Sequence, residues 1–399
     1  MKLTLGDLDA ARLEGQRVVV RVDFNVPLAD GAVADNTRIR AALPTIKHLS
    51  EHGARVLLLS HLGRPKGRPD PALSLRPVVT ELERLLGAPV TFIEDPTAQA
   101  AEAASKRLAR GGIAVAENTR FFPGEESNDL ALAETFARMG DLYVNDAFGT
   151  AHRAHASTVG IAHLLKPAVA GFLMQKELQF LGQVLDDPKR PFVAVLGGAK
   201  ISGKIDLIEA MLPKVDTVLV GGAMACTFFK AMGLEVGNSL VEDDRLDVAR
   251  GLIDVAGDTL VLPEGAVIAQ RLDPAAETRS VPRDAIPPGW AMFDIDVATE
   301  RTFGGYIRRA GTVVWNGPMG VFETPPFDHG TLAVAKAMAE AHEQGAITVV
   351  GGGDSAAAVE AAGLSDRVTH VSTGGGASLE FLEGRDLPGL AALDDVNQD

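Results

Sequence analysis

The sequence is short of cysteine, of long apolar runs and of positive charge. Cys226 is the only cysteine among 399 residues, so no disulfide can form within the chain. This excludes a disulfide scaffold and is typical of a reducing compartment. No stretch approaches the roughly 18 uninterrupted apolar residues of a membrane span, and the first residues lack the apolar segment of a signal peptide. We therefore expect a cytoplasmic protein without a membrane partner.

Lysine and arginine are outnumbered by acidic residues, 38 against 53, and the net charge is −15. A uniformly acidic surface repels nucleic acid, so no nucleic-acid partner is expected. The charge is uneven, however. Residues 1–160 carry 19 basic and 20 acidic residues, whereas residues 161–399 carry 19 and 33. The first part, which also holds five of the nine histidines, can therefore present a local basic site for a small anion.

Short apolar runs alternate with helical patterns such as Leu75–Leu86 and Ala98–Leu108. Continuously apolar runs are typical of parallel strands that are covered on both faces. Alternating strands and helices predict an α/β fold, here two doubly wound, Rossmann-like three-layer α/β/α lobes with parallel sheets. The predicted strands are Val18–Val22, Arg55–Ser60, Ile113–Ala116, Leu142–Asn145, Val193–Leu196, Thr217–Val220, Thr312–Trp315, Ile347–Val350 and Val368–Val371.

An amphipathic stretch lies between the two series of strands. Leu173, Leu178 and Leu181 recur at helical spacing, and Asp186-Asp187-Pro188 ends the pattern. We interpret residues 168–187 as a connector helix and hinge between a lobe of residues 1–167 and a second lobe that begins at residue 188. The alternative is one more packing helix of a single large sheet, which the chain length disfavours.

The strand ends of the first part carry arginine and histidine. Ligands of open parallel sheets bind beyond the carboxyl ends of the strands, and guanidinium groups grip phosphate and carboxylate oxygens in pairs. Four strand ends with this content predict a site for a small anionic substrate. The residues they deliver are Arg64, Arg120, Arg153, His61, His152 and His155.

Arg38 and Arg40 lie at a predicted helix start with Asn36 as N-cap and with Pro44 as a kink or restart. Cations are unfavourable near a helix N-terminus. Either Asp35 offsets one of these charges, or at least one arginine faces a bound anion.

The strand ends of the second part carry glycine instead. Glycine lets the backbone approach a ligand closely, and N–H groups that open a helix bind phosphate. Five such ends predict a nucleotide site. They are Gly197-Gly198, Gly221-Gly222, Asn316-Gly317-Pro318, Gly351-Gly352-Gly353 and Gly374-Gly375-Gly376.

Gly198 to Lys204 nearly forms a P-loop, but Ile205 stands where that motif needs serine or threonine to hold Mg²⁺. The magnesium ligand must therefore come from elsewhere, and Asp354, at a glycine-rich helix start, is the natural carboxylate. No Gly-x-Gly-x-x-Gly fingerprint opens either half, which disfavours a dehydrogenase.

Two other residue patterns allow less specific interpretations. His152 and His155 could hold a metal, but no cysteine or metalloprotease helix pattern accompanies them, and a basic anion patch is the better interpretation. Cys226 lies among Met224, Ala225 and Phe228 and is expected to be a buried, inert thiol.

Taken together, these segments resemble phosphoglycerate kinase from about residue 17 to about residue 384. The strings that carry the resemblance are Arg21-Val22-Asp23-Phe24-Asn25-Val26-Pro27, Ser60-His61-Leu62-Gly63-Arg64-Pro65, Asn145-Asp146-Ala147-Phe148-Gly149-Thr150-Ala151-His152-Arg153-Ala154-His155, Leu196-Gly197-Gly198-Ala199-Lys200, Val314-Trp315-Asn316-Gly317-Pro318-Met319-Gly320-Val321-Phe322-Glu323, Gly351-Gly352-Gly353-Asp354 and Ser372-Thr373-Gly374-Gly375-Gly376.

The resemblance implies a two-lobed monomer that transfers a phosphoryl group reversibly from 1,3-bisphosphoglycerate to ADP, giving 3-phosphoglycerate and ATP. It implies a phosphoglycerate-binding first lobe, a Mg²⁺-nucleotide-binding lobe of residues 188–384, and a segment 385–399 that returns to the first lobe. The phosphoglycerate ligands it implies are Asp23, Asn25, Arg38, His61, Arg64, Arg120 and Arg153. The nucleotide residues are Gly198, Lys204, Gly222, Asn316, Pro318, Glu323 (ribose), Gly351, Gly352, Gly353, Asp354 (magnesium) and Ser355. Arg38, Lys200 and Gly375 would act on the phosphoryl group in transit.

The chain departs from the family pattern in three places. Gly203 replaces a usually acidic residue, Asn238 stands where lysine is common, and Asp294-Ile295-Asp296-Val297 replaces Asp-Ile-Gly-Pro. The last difference concerns the loop near the adenine pocket.

The expected mechanism is in-line transfer, with Arg38 and Lys200 stabilising the spread-out charge from opposite lobes after hinge closure excludes water. Two other classes stay open: a different nucleotide-dependent α/β enzyme, such as another kinase or a ligase, and a non-catalytic two-lobed phosphosugar-binding protein. Lys200, Lys204 and Asp354 disfavour the second, because a pure binder needs no charges for phosphoryl transfer.

Overall fold

The computed structural model describes residues 1–396 and divides the chain into two compact units. The first consists of Met1–Gln179 together with the segment from Asp386 onward, and the second is Phe180–Arg385. Each unit has its own six-stranded sheet in which all neighbouring strands are parallel. The expected pair of α/β lobes is therefore confirmed, and the single large sheet is excluded.

The first unit is built on the sheet order β5-β6-β4-β1-β7-β8. Val18 in the central strand pairs with both Val56 and Leu142, and the side chains of Val18, Val20 and Val56 are fully buried. The strands of this unit are β1 (Arg17–Arg21), β2 (Leu28–Ala29), β3 (Ala32–Val33), β4 (Arg55–Leu59), β5 (Val90–Ile93), β6 (Ile113–Ala116), β7 (Leu142–Asn145) and β8 (Ala168–Ala170), of which β2 and β3 form a separate antiparallel hairpin.

The second unit is built on the sheet order β11-β10-β9-β15-β16-β17, and a small antiparallel sheet, β13-β12-β14, lies outside it. The ranges are β9 (Phe192–Leu196), β10 (Thr217–Val220), β11 (Leu260–Val261), β12 (Gly265–Ala269), β13 (Arg279–Pro282), β14 (Ala291–Ile295), β15 (Thr312–Asn316), β16 (Ile347–Gly351) and β17 (His370–Val371).

Helices connect the parallel strands, as such strands require. Along the chain they are α1 (Thr37–Glu51), α2 (Arg76–Leu86), α3 (Gln99–Arg107), α4 (Leu130–Ala137), α5 (Ile161–Leu164), α6 (Phe172–Asp186), α7 (Ile205–Met211), α8 (Met224–Ala231), α9 (Leu246–Ala256), α10 (Val297–Arg309), α11 (His329–Glu343), α12 (Gly353–Ala361), α13 (Gly376–Leu382) and α14 (Pro388–Ala391). Within residues 1–396, no helix combines the length and apolar character needed to cross a bilayer.

The predicted strands all occur, with ends that differ by one or two residues. The sequence does not predict eight further strands of the described chain, namely β2, β3, β5, β8, β11, β12, β13 and β14. Of these, β8 occupies the start of the range 168–187 that we interpret as connector. The helix in that range is α6, and it begins only at Phe172. Pro44 neither breaks nor restarts α1, which continues through it.

Residues 386–396 pack on the first unit through backbone hydrogen bonds; the last three residues of the predicted segment 385–399 lie outside the described residues. The N–H of Leu3 donates to the carbonyl of Asp394 at 2.7 Å, and the N–H of Asp394 donates to Ala168 at 2.9 Å. Gly389 donates to the carbonyl of Ala151 at 2.8 Å. The two ends of the described chain thus meet at the β8 edge of the same sheet.

Candidate active site

The end of β1 turns Asp23 towards the start of α1. Nη1 of Arg38 donates to Oδ2 of Asp23 at 2.7 Å, and the backbone N–H of Asn25 donates to the other oxygen, Oδ1, at 3.2 Å. Asp23 is nearly buried, whereas Arg38 is partly exposed. The carboxylate therefore fixes a guanidinium that is still partly exposed.

The ends of β4 and β6 join this group through Gly63, two residues after His61. Oδ1 of Asn25 accepts from the N–H of Gly63 at 2.9 Å, and the carbonyl of Gly63 accepts from Nη1 of Arg120 at 2.9 Å. Nδ1 of His61 lies 3.9 Å from Oδ1 of Asp23. The structure thus brings Asp23, Asn25, Arg38, His61 and Arg120 into one connected rim.

The two buried histidines of the rim are neutral. Burial, followed by the charges of Arg21 and Arg120, holds the pKa of His61 well below its usual value. Burial and the same two arginines lower the pKa of His155 to about 3. The positive charge available to an anion therefore comes from the arginines, and the histidines contribute only neutral donors or acceptors.

The helix start at α1 differs in detail from its prediction. Asn36 makes no capping hydrogen bond; its amide donates to Glu81 and accepts from Arg40. Asp35 caps the N–H of Thr37 at 2.8 Å instead. Hydrogen bonds from Arg84 and Asn36 lower the pKa of Glu81 to about 2.

Arg64 and Arg153 lie at the margin of the rim. Arg64 is exposed one residue after Gly63, and no ion pair or hydrogen bond within residues 1–396 ties its guanidinium to the group. Nε of Arg153 donates to Nε2 of His152 at 3.0 Å. No cluster of three or more His, Cys, Asp or Glu side chains in the described chain is placed to hold a metal ion, so a metal site at His152 and His155 finds no support there.

Sequence reasoning missed three buried polar residues beneath the rim. Arg21, Glu125 and Ser157 are each at most 1% exposed. Arg21 had a signal, because it is a charged residue inside the apolar strand Val18–Val22. Glu125 and Ser157 had none, since Glu125 lies in a polar loop and Ser157 in the short π-helical turn Ala156–Gly160, where glutamate and serine are ordinary.

The second unit has a cavity of about 460 Å³ at the glycine-rich strand ends. The backbone of Gly222 has a φ of +71°, and a Cβ there would lie 2.5 Å from the amide nitrogen of Gly198. Only glycine allows these two loops to approach so closely. The lining residues are Gly198, Ala199, Gly222, Ala223, Asn238, Leu240, Ala291, Met292, Phe293, Pro318, Gly320, Val321, Glu323 and Asp354.

Lys204 lies beside this cavity, after a 3₁₀ turn that spans Ile201–Gly203 and directly before α7. Its ammonium group donates to Oδ1 of Asn316. Burial lowers the pKa of Lys204 to about 8, although the nearby charges of Asp354 and Glu383 oppose that shift. The lysine is a partly desolvated cation, which is a strong binder of phosphate.

Asn316 links Lys204 to the turn before α12. Its amide nitrogen, Nδ2, is buried without a hydrogen-bond partner and lies 3.0 Å from where a Cβ on Gly352 would be. Ser355 accepts from the N–H of Gly317 at 2.6 Å, which ties the β15 and β16 loops together. An unsatisfied donor beside a glycine turn and a lysine forms a cradle for an anion.

Among the remaining predicted residues of this unit, Lys200, Glu323 and Asp354 are exposed, whereas Gly375 is only partly exposed. Asp354 lies in the first turn of α12, and Glu323 and Asp354 both line the cavity. Lys200 is exposed just before the 3₁₀ turn. Gly375, with a φ of +52°, precedes α13.

The residues at Asp294–Val297, which differ from the family pattern, are held by hydrogen bonds of their own side chains. Asp294 is buried; its carboxylate accepts from the N–H groups of Ile295 and Gly330 at 2.9 Å, and burial raises its pKa to about 8. Asp296 caps α10 by accepting from Thr299. The loop shape is thus held by helix capping, and Asn238 lines the cavity nearby.

A pair of α/β lobes, one with an arginine rim and one with a glycine-rich cleft beside a partly buried lysine, defines a nucleotide-dependent phosphotransferase. The comparisons with known proteins agree. The family model of phosphoglycerate kinase matches residues 8–385. Phosphoglycerate kinases of Chloroflexus aurantiacus and Chlorobaculum tepidum are 58% and 55% identical; each alignment covers 99% of this chain, and they span 99% and 100% of those proteins.

Solved structures give the same result. Phosphoglycerate kinase from Coxiella burnetii matches with a TM-score of 0.87 at 41% identity, and that from Pyrococcus horikoshii with 0.86 at 32%, each over 98% of both chains. The chain belongs to the phosphoglycerate kinase family. It is a kinase with a carboxyl group as acceptor, and it transfers a phosphoryl group reversibly between 1,3-bisphosphoglycerate and ADP in glycolysis.

Proposed function

We propose that each unit supplies half of the active site for this reaction. The observation that carries the proposal is the separation of two differently built anion sites, the arginine rim of the first unit and the lysine–glycine cleft of the second. The rim binds phosphoglycerate through Asp23, Asn25, Arg38, His61, Arg64, Arg120 and Arg153. The cleft binds nucleotide through Gly198, Lys204, Gly222, Asn316, Pro318, Glu323, Gly351, Gly352, Gly353, Asp354 and Ser355.

The roles within the rim follow from charge. Arg120 bridges to the backbone of Gly63 and is therefore a rigid clamp for one end of the substrate. Asp23 orients Arg38, whose partly exposed guanidinium faces the reacting carboxyl phosphate. His61 is neutral and adds a hydrogen bond without adding charge.

Phosphoryl transfer requires little covalent chemistry from the protein. Charge on the moving group is spread over three oxygens, and positioned cations stabilise it. Arg38 supplies one such charge and Lys200 the other, while Gly375 at the start of α13 offers backbone N–H groups. Arg38 and Lys200 belong to different units, so we propose that the units close about α6 before transfer and so keep water from the acyl phosphate.

Magnesium dependence belongs to the same proposal. Asp354 presents an exposed carboxylate beside the cavity and near the Lys204 charge. Mg²⁺ is usually held by one or two carboxylates plus substrate phosphates, so this donor fits an ion that arrives with the nucleotide. When bound, Mg²⁺ would neutralise phosphate charge. Asp354 would hold it, and Lys204 and the Gly351–Gly353 backbone would hold the phosphates.

The test is a coupled assay of ADP formation with 3-phosphoglycerate and ATP, run beside acetate and ATP. We expect turnover only with 3-phosphoglycerate and only when Mg²⁺ is added. Equal turnover with acetate would assign the chain to another carboxylate kinase. Binding of 3-phosphoglycerate without turnover would leave only the phosphosugar-binding role.

Closure is tested by small-angle scattering. The radius of gyration should fall when 3-phosphoglycerate and Mg²⁺-nucleotide are both present and change less with either alone; no change with both would contradict closure. The cytoplasmic location and the absence of nucleic-acid and membrane partners stay predictions from the sequence, and the monomeric state stays what the family resemblance implies. Sedimentation equilibrium tests the monomeric state.

A further inference from the structure

Four buried polar side chains form a continuous chain of hydrogen bonds beneath the rim. Ser157 donates from Oγ to Oε1 of Glu125 at 2.5 Å and from its backbone N–H to Oε2 at 3.0 Å. Nε of Arg21 donates to Oγ of Ser157 at 2.9 Å. Nη2 of Arg21 lies 3.1 Å from Nδ1 of His61. All four residues are at most 4% exposed.

The last contact determines where the imidazole proton is. A guanidinium only donates hydrogen bonds, so Nδ1 of His61 must accept from Arg21 and carries no proton. The neutral ring then has its proton on Nε2. Because Nδ1 is engaged with Arg21, Nε2–H is the group of His61 that is left for a ligand.

Burial and the charged groups around His61 keep the ring neutral. Burial lowers its pKa most, and Arg21, Arg120 and Arg38 lower it further, as His155 would if charged. Asp23 is the acidic group near the ring, at 3.9 Å from Nδ1, and it is engaged by Arg38. An ordinary histidine loses its charge near pH 6.5, whereas His61 keeps one form throughout the neutral range.

Glu125 is the negative end of this chain. Arg21 is a fully buried cation, and a buried charge is tolerated only when it is paired and hydrogen-bonded. Glu125 compensates it through Ser157 and also orders the turn Ala156–Gly160, since its carbonyl accepts from Ala156 at 3.0 Å. Nη1 of Arg21 also donates to the carbonyl of Val22. Without the Glu125 carboxylate, the Ser157 hydroxyl loses its acceptor, and the Nε end of the Arg21 guanidinium loses a partner of fixed orientation.

We propose that Glu125 is a positioning residue for phosphoglycerate, which acts through Ser157 and Arg21 to hold His61 as the Nε2–H tautomer facing the substrate. The claim that His61 contacts phosphoglycerate rests on the proposed function, but the claim about the tautomer does not. This relay, the chain of hydrogen bonds from Glu125 through Ser157 and Arg21 to His61, makes the hydrogen bond between His61 and the substrate one without charge on the ring. Its strength is therefore the same across the neutral pH range.

The test is long-range proton–nitrogen NMR of the full-length protein with ¹⁵N-labelled histidine, with His61 assigned by its loss in His61→Gln. We expect the ¹⁵N chemical shift of Nε2 to be that of a protonated nitrogen and that of Nδ1 to be that of an unprotonated nitrogen. Neither shift should change between about pH 5.5 and pH 8. A protonated Nδ1, or titration near pH 6.5, in the unmodified protein would overturn the proposal.

Glu125→Gln then tests the relay. It should shift His61 towards mixed tautomers or restore its titration. It should also raise the KM for 3-phosphoglycerate about five-fold, the equivalent of one hydrogen bond, and leave the KM for ATP unchanged. Ser157→Ala removes the middle of the chain and should act in the same direction if Glu125→Gln does not fold. Glu134→Gln, an exposed carboxylate on α4, is the matched charge control.

Two outcomes separate this proposal from the proposed function. An unchanged His61 spectrum in both folded relay variants contradicts the role of Glu125, whatever the kinetics. If His61 shows the expected tautomer but His61→Gln leaves the KM for 3-phosphoglycerate unchanged, the substrate contact is wrong and Glu125 positions no substrate ligand.

Discussion

Partly buried cations distinguish the two anion sites at the scale of single residues. Lys204 has lost enough water for its pKa to fall to about 8, so it is charged at neutral pH but close to titration. The rim relies on guanidinium groups, which do not deprotonate in proteins. The nucleotide site should therefore respond to alkaline pH, whereas the rim should not.

Nucleotide affinity should fall as pH rises through about 8. Because Lys204 binds phosphate only as the cation, the Kd for ADP should rise by up to about tenfold per pH unit above its pKa. Calorimetry at several pH values between about 7 and 9 measures this. Lys204→Arg keeps the charge and should flatten the profile; an equally steep profile in that variant would show that another group titrates.

Lys200 and Arg120 should affect different kinetic constants. Lys200→Ala should lower kcat by about 10²- to 10³-fold with little change in ADP binding, because its charge acts on the moving phosphoryl group. Arg120→Ala should mainly raise the KM for phosphoglycerate. Steady-state kinetics separate the two effects, with Lys47→Ala, an exposed lysine on α1, as control. An unchanged kcat in Lys200→Ala would refute its assigned role.

At the scale of elements, Asp146 joins β7 to α6. This buried carboxylate accepts from the first N–H groups of the helix, those of Leu173 at 2.8 Å and Met174 at 3.1 Å, and Thr45 accepts from Phe172 at 2.9 Å. Such caps satisfy helix N–H groups that have no partner within the helix. The strand that ends at the rim thus fixes the beginning of the helix about which closure is proposed.

The ionisation of Asp146 should cost stability. Burial raises its pKa to about 6, above the roughly 3.9 of an unfolded chain. Between those values the folded state holds a proton that the unfolded state has lost, so the free energy of unfolding falls as pH rises through this window.

In Asp146→Asn, the asparagine side chain can accept from the same N–H groups but does not ionise. The free energy of unfolding of this variant, compared with that of the unmodified protein, should therefore increase from about pH 4 to about pH 6.5. Asp146→Ala loses the cap and should cost about 1 kcal/mol or more. Urea denaturation at both pH values measures the differences, and a pH-independent difference for the asparagine variant would contradict the assigned cause.

At the scale of the whole molecule, the far end of the chain completes the first unit. Nδ2 of Asn145 donates to the carbonyl of Gly389 at 3.1 Å, and Gly389 donates to Ala151, just before His152 and Arg153. The chain must therefore finish the second unit before the phosphoglycerate rim is fully supported. The uneven charge agrees with this organisation, since the nearly neutral part holds the arginine rim.

Gly389→Val should weaken phosphoglycerate binding selectively. A Cβ at Gly389 would lie 3.0 Å from Cα of Ala151, so the larger side chain must push the segment away from the rim. We expect the KM for 3-phosphoglycerate to rise severalfold while the KM for ADP is unchanged. Ala391→Val, an exposed position on α14, is the control, and equal effects on both substrates would contradict a local cause.

Sequence reasoning was most successful where a pattern is local. Apolar runs such as Ile113–Ala116 and Thr217–Val220 coincide with strands because burial on both faces leaves a continuous signature. It failed at β5, where Thr91 is exposed and Phe92 only half-buried, because an edge strand lacks that signature. The sequence predicts Asn36 as the cap of α1, whereas the side chain of Asp35 accepts from the N–H of Thr37, because only the folded loop decides which side chain reaches the N–H.

The sequence by itself determined the α/β class, the order of the strand-end motifs and the family, because periodicity and contiguous motifs are local properties. The tertiary structure alone decided which polar groups meet: Arg21 with Ser157 and His61, Lys204 with Asn316, and Gly389 with Ala151. These contacts join residues tens to hundreds of positions apart. They set ionisation and tautomer through burial and neighbouring charge, which exist only once the chain has folded.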